Sequence, residues 1–474
     1  MSERLSRIAV GLATLLLGAC SAGNPNEGAS VNGGGGTGGA PTDGGTAPDG
    51  GGAATDGSST DGLLAVDAVT DAAPSTAFAC PPPPTTPGTC SAVADIRCPL
   101  PKLSQTGCMD AANPRQLAAT VFPYEVNSPL WSDGALKTRG MKLPANQKIH
   151  VKNCLANAAE CCIVDLNNYP QCLPAHDDGK WVFPIGTVMV KNFMFPDSRD
   201  PSGMKFVETR LFMRLADGLD KDTGKVGPVW VGYGYRWNDQ QTDATIVSDA
   251  VKDVRFTATF SVMAPGANGG AATKRDIVWY YPSRADCMQC HRGTDPIGGF
   301  VLGPETAQMN RVVAGQNQLD RLQAMGAFDA AIPQPYKPAL IAPYMSQAGT
   351  PPANATVDQR ARSYLHANCA FCHRPDGSFT QSDFRYDAPF KDMGLCNQMP
   401  AKGDLCVDGA LLLAPKLPMK SVIWLRMDAP GPTDPTDSNS STMRMPQIAS
   451  YVVDTQATTL ISDWIGKMAA CPAP

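Results

Sequence analysis

The chain has 474 residues, a formal net charge of −5, 43% hydrophobic and 18% charged residues. That length suggests two or three domains, with ample apolar content for packed cores. The small acidic balance excludes a polybasic face for nucleic acid.

The opening stretch "MSERLSRIAVGLATLLLGAC" puts Arg4 and Arg7 before a short apolar run ending in Leu17-Gly18-Ala19-Cys20. The run is too short to persist as a spanning helix and reads as a secretory signal over residues 1–19. Its ending resembles the bacterial lipobox, in which the chain is cut before the Cys and the thiol is diacylated. Cys20 is then the lipid-attachment residue of a protein anchored to the membrane rather than spanning it. The plainer alternative is an ordinary signal peptide that happens to contain a Cys. Ser21 follows instead of Asp, which points to the outer membrane of a bacterial envelope, with the folded part periplasmic or surface-exposed. Residues 20–79, rich in Gly, Pro, Ser and Thr, lack apolar periodicity and read as a disordered tether. "CPPPPTTPGTC" at 80–90 is a stiffer collar.

Residues 100–282 read as a β-rich domain. "WVFPIGTVMVKNF" (181–193), "VETRLFMRL" (207–215), "VWVGYGYRW" (229–237) and "DIVWYYP" (276–282) are β-branched and aromatic, with Gly, Pro, Asn and Asp between them. Such spacing predicts an antiparallel sandwich or barrel.

The chain then carries one pattern twice: Cys287-Met288-Gln289-Cys290-His291 and Cys369-Ala370-Phe371-Cys372-His373. Cys-x-x-Cys-His is the attachment pattern of a c-type haem. Two thiols add across the haem vinyl groups, and the following His offers an imidazole to the iron. This makes Cys287, Cys290, Cys369 and Cys372 the cofactor-binding residues and His291 and His373 the metal ligands, for two covalently attached haems. Residues 283–350 form a first haem-binding segment, in which "ETAQMNRVVAGQNQLDRLQAMG" (305–326) has helical spacing, with Met309, Val312, Val313, Leu319 and Leu322 near one face. Residues 357–474 have the layout of a cytochrome c domain: the helix "VDQRARSYLHAN", the second motif, a wrapping loop, a Met-Pro and a final helix over 455–468. The fold class expected is therefore a mainly-β N-terminal domain followed by α-helical cytochrome c-type haem domain(s).

Met445, stiffened by Pro446, is the preferred second axial ligand of the second haem, with Met443 and a core-filling role as alternatives. No sixth ligand for the first haem is evident; His366 and Met345 are weak candidates, and Met309 reads as helix core. Arg284 and Arg374 flank the motifs, where each could pair with a haem propionate or simply be solvated. Trp131, Trp237 and Trp279 read as core or contact residues. Sixteen Cys, less Cys20 and the four motif thiols, leave eleven for disulfides in an oxidising compartment. Cys396 and Cys406 are close enough in sequence to close a small loop. The crowded Cys154, Cys161, Cys162 and Cys172 suit disulfides better than zinc.

"KLSQTG", "FPYEVNSPLWSDGALKTRGMKLP", "FPIGTVMVKNF", "ETRLFMR", "YRWNDQQTDA", "YYPSRADCMQCH", "GPETAQMNR" and "YLHANCAFCHRPDG" follow one another in that order from about residue 102. Together they resemble a family of bacterial exported dihaem c-type cytochromes, conserved proteins of unknown role. The resemblance implies two covalent haems at the two motifs and supplies no substrate. The chain departs from the family in Met309, where Leu is expected, and in its cysteine-rich stretch 154–172.

Three functions follow in order of preference. The first is a membrane-anchored dihaem c-type cytochrome passing electrons between redox partner proteins of the cell envelope. The second is a haem oxidoreductase or peroxidase using the first haem as an open catalytic site. The third is a partner- or substrate-binding module carried by the β domain. Oligomeric state is not legible in the sequence.

Overall fold

A computed structural model describes residues 80–471 apart from 87, 154–155, 158–161, 165–169, 173–178, 220–225, 248–255, 265–269, 292–300, 333–354, 376, 378–380, 432–443 and 448–449. The signal over 1–19, Cys20, the tether and Met345 lie outside the described residues. Those from Pro81 on belong to one compact unit. Among the described residues no helix is long and apolar enough to cross a membrane.

The strands in chain order are β1 (Phe122–Pro123), β2 (Leu136–Lys142), β3 (His150–Val151), β4 (Cys162–Val164), β5 (Pro170–Cys172), β6 (Trp181–Val182) and β7 (Val188–Pro196). There follow β8 (Met204–Leu219), β9 (Val226–Trp237), β10 (Ala244–Ile246), β11 (Phe256–Ala264), β12 (Thr273–Tyr281), β13 (Val312–Val313) and β14 (Gln316–Asn317). Six of them form one antiparallel sheet in the order β1-β2-β7-β8-β9-β10, and β11 pairs with β12 as a separate hairpin. The expected sandwich or barrel is thus corrected to an open sheet, one face of which is covered in part by that hairpin.

Residues opposite one another across the ladders share a face of the sheet. One face carries Val190, Leu211 and Tyr233 in one cross-strand row and Val188, Met213 and Val231 in the next. It packs against the segment around Leu103 and Met109, stapled by the Cys90–Cys108 disulfide. The Tyr233 and Tyr235 hydroxyls donate to Ile96 O (2.9 Å) and Leu100 O (3.0 Å). Gly140 in β2 lets this covering segment lie flat: a Cβ there would stand 2.5 Å from Val121 Cγ1 and 2.8 Å from Leu117 Cδ1.

The other face is apolar at both ends. Met141, Met189, Phe212 and Trp230 join a core with Trp181, Phe183, Met309, Leu319 and Leu322. Phe193, Phe195 and Val207 join Trp279, Tyr281 and Ile277 of the hairpin.

The helices are α1 (Arg284–Cys290), α2 (Thr306–Met309), α3 (Gln318–Ala324), α4 (Val357–Asn368), α5 (Val422–Asp428) and α6 (Thr455–Lys467). The single helix expected over 305–326 is in fact α2, the β13–β14 hairpin and α3. Ala314 (φ 50°) and Gly315 (φ 83°) take left-handed conformations that turn the chain back there, and Val312 is 65% exposed rather than on a buried face.

Among the described residues the α-helical haem domain(s) expected after the β region are not found. Strand makes up 27% and helix 20% of the described residues. The first motif rides on a seven-residue helix laid on the sheet. Around the second, α4, α5 and α6 pack about Leu365, Ile461 and Trp464, with long irregular connections. Positive φ at Gly394, Asn397, Gly403, Leu405, Cys406, Gly409 and Lys416 keeps the connection from coiling into helix. α4 and α6 do fall where the sequence places them; a Thr356–Gln359 capping box starts α4. Cys396 pairs with Cys471, not with Cys406, which is disulfide-bonded elsewhere.

Gly140→Ala is expected to destabilise the fold by about 1–3 kcal/mol through overpacking. A chemical-denaturation midpoint equal to that of the unaltered chain would show that Leu117 and Val121 yield freely.

Candidate functional site

The β12–α1 junction fixes the first motif. Ser283 Oγ accepts from the Asp286 N–H (3.1 Å) and Asp286 Oδ2 accepts from the Ser283 N–H (3.0 Å), a capping box for α1. The Tyr280 hydroxyl donates to the same buried carboxylate. Cys287 and Cys290 are three residues apart on α1, so their thiols leave the helix on one side. His291 is the C-cap, its N–H donating to Cys287 O at 3.0 Å.

α1 lies on β9 at a point without side chains. A Cβ on Gly232 would stand 2.8 Å from Cys287 Sγ, and one on Gly234 3.0 Å from Glu208 Oε1. The His291 ring packs on Phe212 of β8, centroids 4.3 Å apart.

The second motif follows α4 in a tight turn, with the Cys372 and His373 N–H groups donating to Cys369 O at 3.1 and 2.9 Å. The His373 ring meets Phe384 edge-on at 5.0 Å. The loop before β2 ties this region to the sheet. Ser128 Oγ donates to Ser363 O (2.9 Å), and Asn368 Oδ1 accepts from the Trp131 N–H (2.7 Å). Asp133 Oδ1 accepts from the Tyr451 and Val452 N–H groups, both at 2.9 Å.

These ties bring the two motifs together. The Cys290 and Cys372 thiols share a hydrogen bond, and Cys372 Sγ lies 3.8 Å from Gln289 O. All four motif cysteines are free thiols. The other seven cysteines whose side chains are described, Cys80, Cys90, Cys98, Cys108, Cys396, Cys406 and Cys471, are disulfide-bonded. Burial pushes the Cys287 and Cys369 thiols up to about 12, so they rest protonated rather than as thiolate ligands or nucleophiles.

Among the described residues no group of three or more His, Cys, Asp or Glu could hold a metal ion. The expectation of a haem-carrying, metal-binding cytochrome c centre is corrected accordingly: among the described residues the two Cys and the His of neither motif converge as a set that could hold a metal ion. Covalent addition needs a paired, unoxidised donor set, so the residues fit thioether attachment of a group that brings its own metal. The backbones of Cys162 and Cys172 stand opposite each other in the β4–β5 pair. The side chains of that cysteine-rich stretch lie outside the described residues.

Met445 is half-buried, its N–H donating to Arg426 O at 2.9 Å. Burial, with the Arg426 charge, holds the His373 imidazole down at about 4. The buried Arg444 fixes the chain just before Met445 through Ala429 O and Val452 O, both at 2.6 Å. His366 is engaged at both ring nitrogens: Nδ1 accepts from the Tyr386 N–H (3.2 Å) and Nε2 donates to Glu305 Oε1 (3.0 Å). Met309 is fully buried in the sheet core. Trp237 and Trp279 are core residues, and Trp131 is a contact residue whose Nε1 donates to Val452 O at 3.1 Å.

The sequence reading missed a cationic row on the sheet. Arg139, Lys191 and Arg210 stand opposite one another on β2, β7 and β8, ending at Gly234 on β9. Lys137 lies in the adjoining row beside Phe193 and Glu208. Burial and neighbouring like charges push Lys137 and Lys191 well below the usual lysine range. The signal was available: "LKTRGMK" and "VETRLF" put charges at alternate positions, hence on one face of each strand.

Comparison with known families, with curated proteins and with solved structures yields no match to this chain.

Glu305 supplies a pH test. Burial raises its carboxyl, but Lys180 and His366 outweigh that and hold it at about 2 against an ordinary 4.5. A depressed carboxylate contributes stability above its unfolded pKa that is lost as pH falls through the folded value. Unfolding free energy should therefore drop by about 3 kcal/mol between pH 4.5 and pH 2 from this group. Glu305→Gln should remove that share of the acid dependence; an unchanged profile would show that the Lys180–Glu305–His366 contacts do not couple to folding.

Proposed function

We propose that the chain carries two covalently attached haems, one on Cys287 and Cys290 with His291 at the iron, one on Cys369 and Cys372 with His373. It passes electrons between them and to redox partners of the cell envelope. The observation that carries this reading is the Cys290–Cys372 contact between two thiol pairs that alone stay unoxidised among the cysteines whose side chains are described. Haem, when bound, supplies one-electron chemistry. The chain's own part is to set the two attachment points side by side, to seat His291 on Phe212 and to fix Met445 through Arg444 and Arg426. Lipid anchoring at Cys20 would keep the pair near the membrane. The resemblance to exported dihaem proteins supports the reading from the sequence side.

A second reading is favoured by one observation. His366 is committed to Glu305 and Tyr386, and Met309 to the core, so neither is offered to the first iron. In that reading the first haem keeps an exchangeable position and acts as an oxidoreductase or peroxidase centre.

Expression with a haem-attachment system should give two covalent haems per chain by haemochrome absorbance. Cys287→Ala with Cys290→Ala should remove one, and Cys369→Ala with Cys372→Ala the other. Absence of covalent haem from the unaltered chain would sink the reading. Carbon monoxide titration of the reduced protein separates the two functions: no binding supports electron transfer, and binding at one haem supports the enzyme. Gly232→Ala, by pushing Cys287 off the sheet, should lower loading of the first motif alone.

A further inference from the structure

The cationic row needs an anion. The Lys137 and Lys191 ammonium groups and the Arg210 guanidinium stand 5.8, 5.2 and 4.4 Å from the centroid of one buried ring, Phe193. Arg139, 7% exposed, adjoins them. Like charges opposed across a sheet repel. Arg210 is paired with Glu208, and among the described residues no carboxylate forms an ion pair with Lys137 or Lys191. Glu208 is fully buried and bound at both oxygens by Arg210 (2.8 Å each) and by Trp279 Nε1 (2.9 Å). Asp133 is turned to the Tyr451 and Val452 N–H groups. Glu125 reaches only Arg139, at 3.8 Å. Among the described residues no carboxylate pairs with Lys191.

The row is also placed in a definite relation to the first motif. It begins at Gly234, next to the Gly232 position against which Cys287 lies, and runs across β8 and β7 to β2. Strand spacing of about 4.8 Å sets Lys191 roughly 10 Å and Arg139 roughly 14 Å from β9. In a haem, the two propionates leave the porphyrin edge opposite the one that bears the vinyl-derived thioethers. A haem tied to Cys287 and Cys290 and lying over this face therefore carries its two carboxylates away from β9, toward β7 and β2.

We propose that Lys137, Arg139, Lys191 and Arg210 form the propionate-binding site of the haem attached at Cys287 and Cys290. The inference rests on the haem reading above and adds to it the group that neutralises the sheet face. It also replaces Arg284 as the main cation for this haem.

The test is potentiometry of the holoprotein with Lys191→Met and, separately, Lys137→Met, with Lys274→Met in the exposed β12 pair with Asp276 as control. A nearby cation favours the reduced iron, so its loss should lower one of the two reduction potentials. We expect about a tenfold change in the reduction constant, about 59 mV for one electron, with the other haem and the control unchanged. Lys191→Arg, which keeps the charge, should restore the potential. If both potentials of both variants equal those of the unaltered holoprotein, with two haems still attached, the propionate site is overturned while the haem reading stands. If the unaltered protein carries no haem on Cys287 and Cys290, both fall.

Discussion

The arrangement depends on the close approach of α1 to β9. A helix bearing two cysteines can lie on a strand at sulfur contact only where the strand presents no Cβ, and Gly232 provides that place. Once α1 is seated there, by the Ser283–Asp286 cap and the Tyr280 hydroxyl, the rest follows in space. His291 falls on Phe212, and Cys290 projects to where α4 delivers Cys372. The sheet is thus the bench on which the first motif is mounted, in place of a helical domain of its own.

Charge is the second constraint. A half-buried sheet face normally carries apolar residues, and this one does so at both ends while holding four cations in the middle. Folding of the chain alone leaves Lys137 and Lys191 beside like charges in a poor solvent for charge. Local rules broken in the middle of an otherwise well-patterned sheet mark the part of the surface shaped for a ligand.

Much of this was legible in the sequence, for physical reasons that differ by element. Strands β7, β8, β9 and β12 announce themselves by β-branched and aromatic runs, and α4 by its capping box. Both Cys-x-x-Cys-His motifs are local in sequence, so spacing alone finds them. The helical domains are not legible in the motifs, because motif chemistry does not imply a fold: helix content depends on connections broken by left-handed residues such as Leu405 and Lys416. The helix expected over 305–326 failed at Ala314-Gly315, a turn inside an apparently helical period. The Cys290–Cys372 contact, the Gly232 seat and the partner of Cys396 are long-range facts, and no local pattern encodes them. The cationic row lay between the two kinds: its alternation is local, but its alignment across three strands is a matter of register.

The Cys396–Cys471 disulfide closes a loop over 75 positions of sequence. In the chain-entropy account, a crosslink of that span removes enough freedom from the unfolded chain to add about 4 kcal/mol of stability. Its other consequence is topological. Met445, α5 and α6 all lie inside the closed loop, so a single proteolytic cut anywhere within it leaves both fragments joined. Met445 would stay tethered to the body that carries His373 even in a nicked molecule, until a reductant opened the bridge.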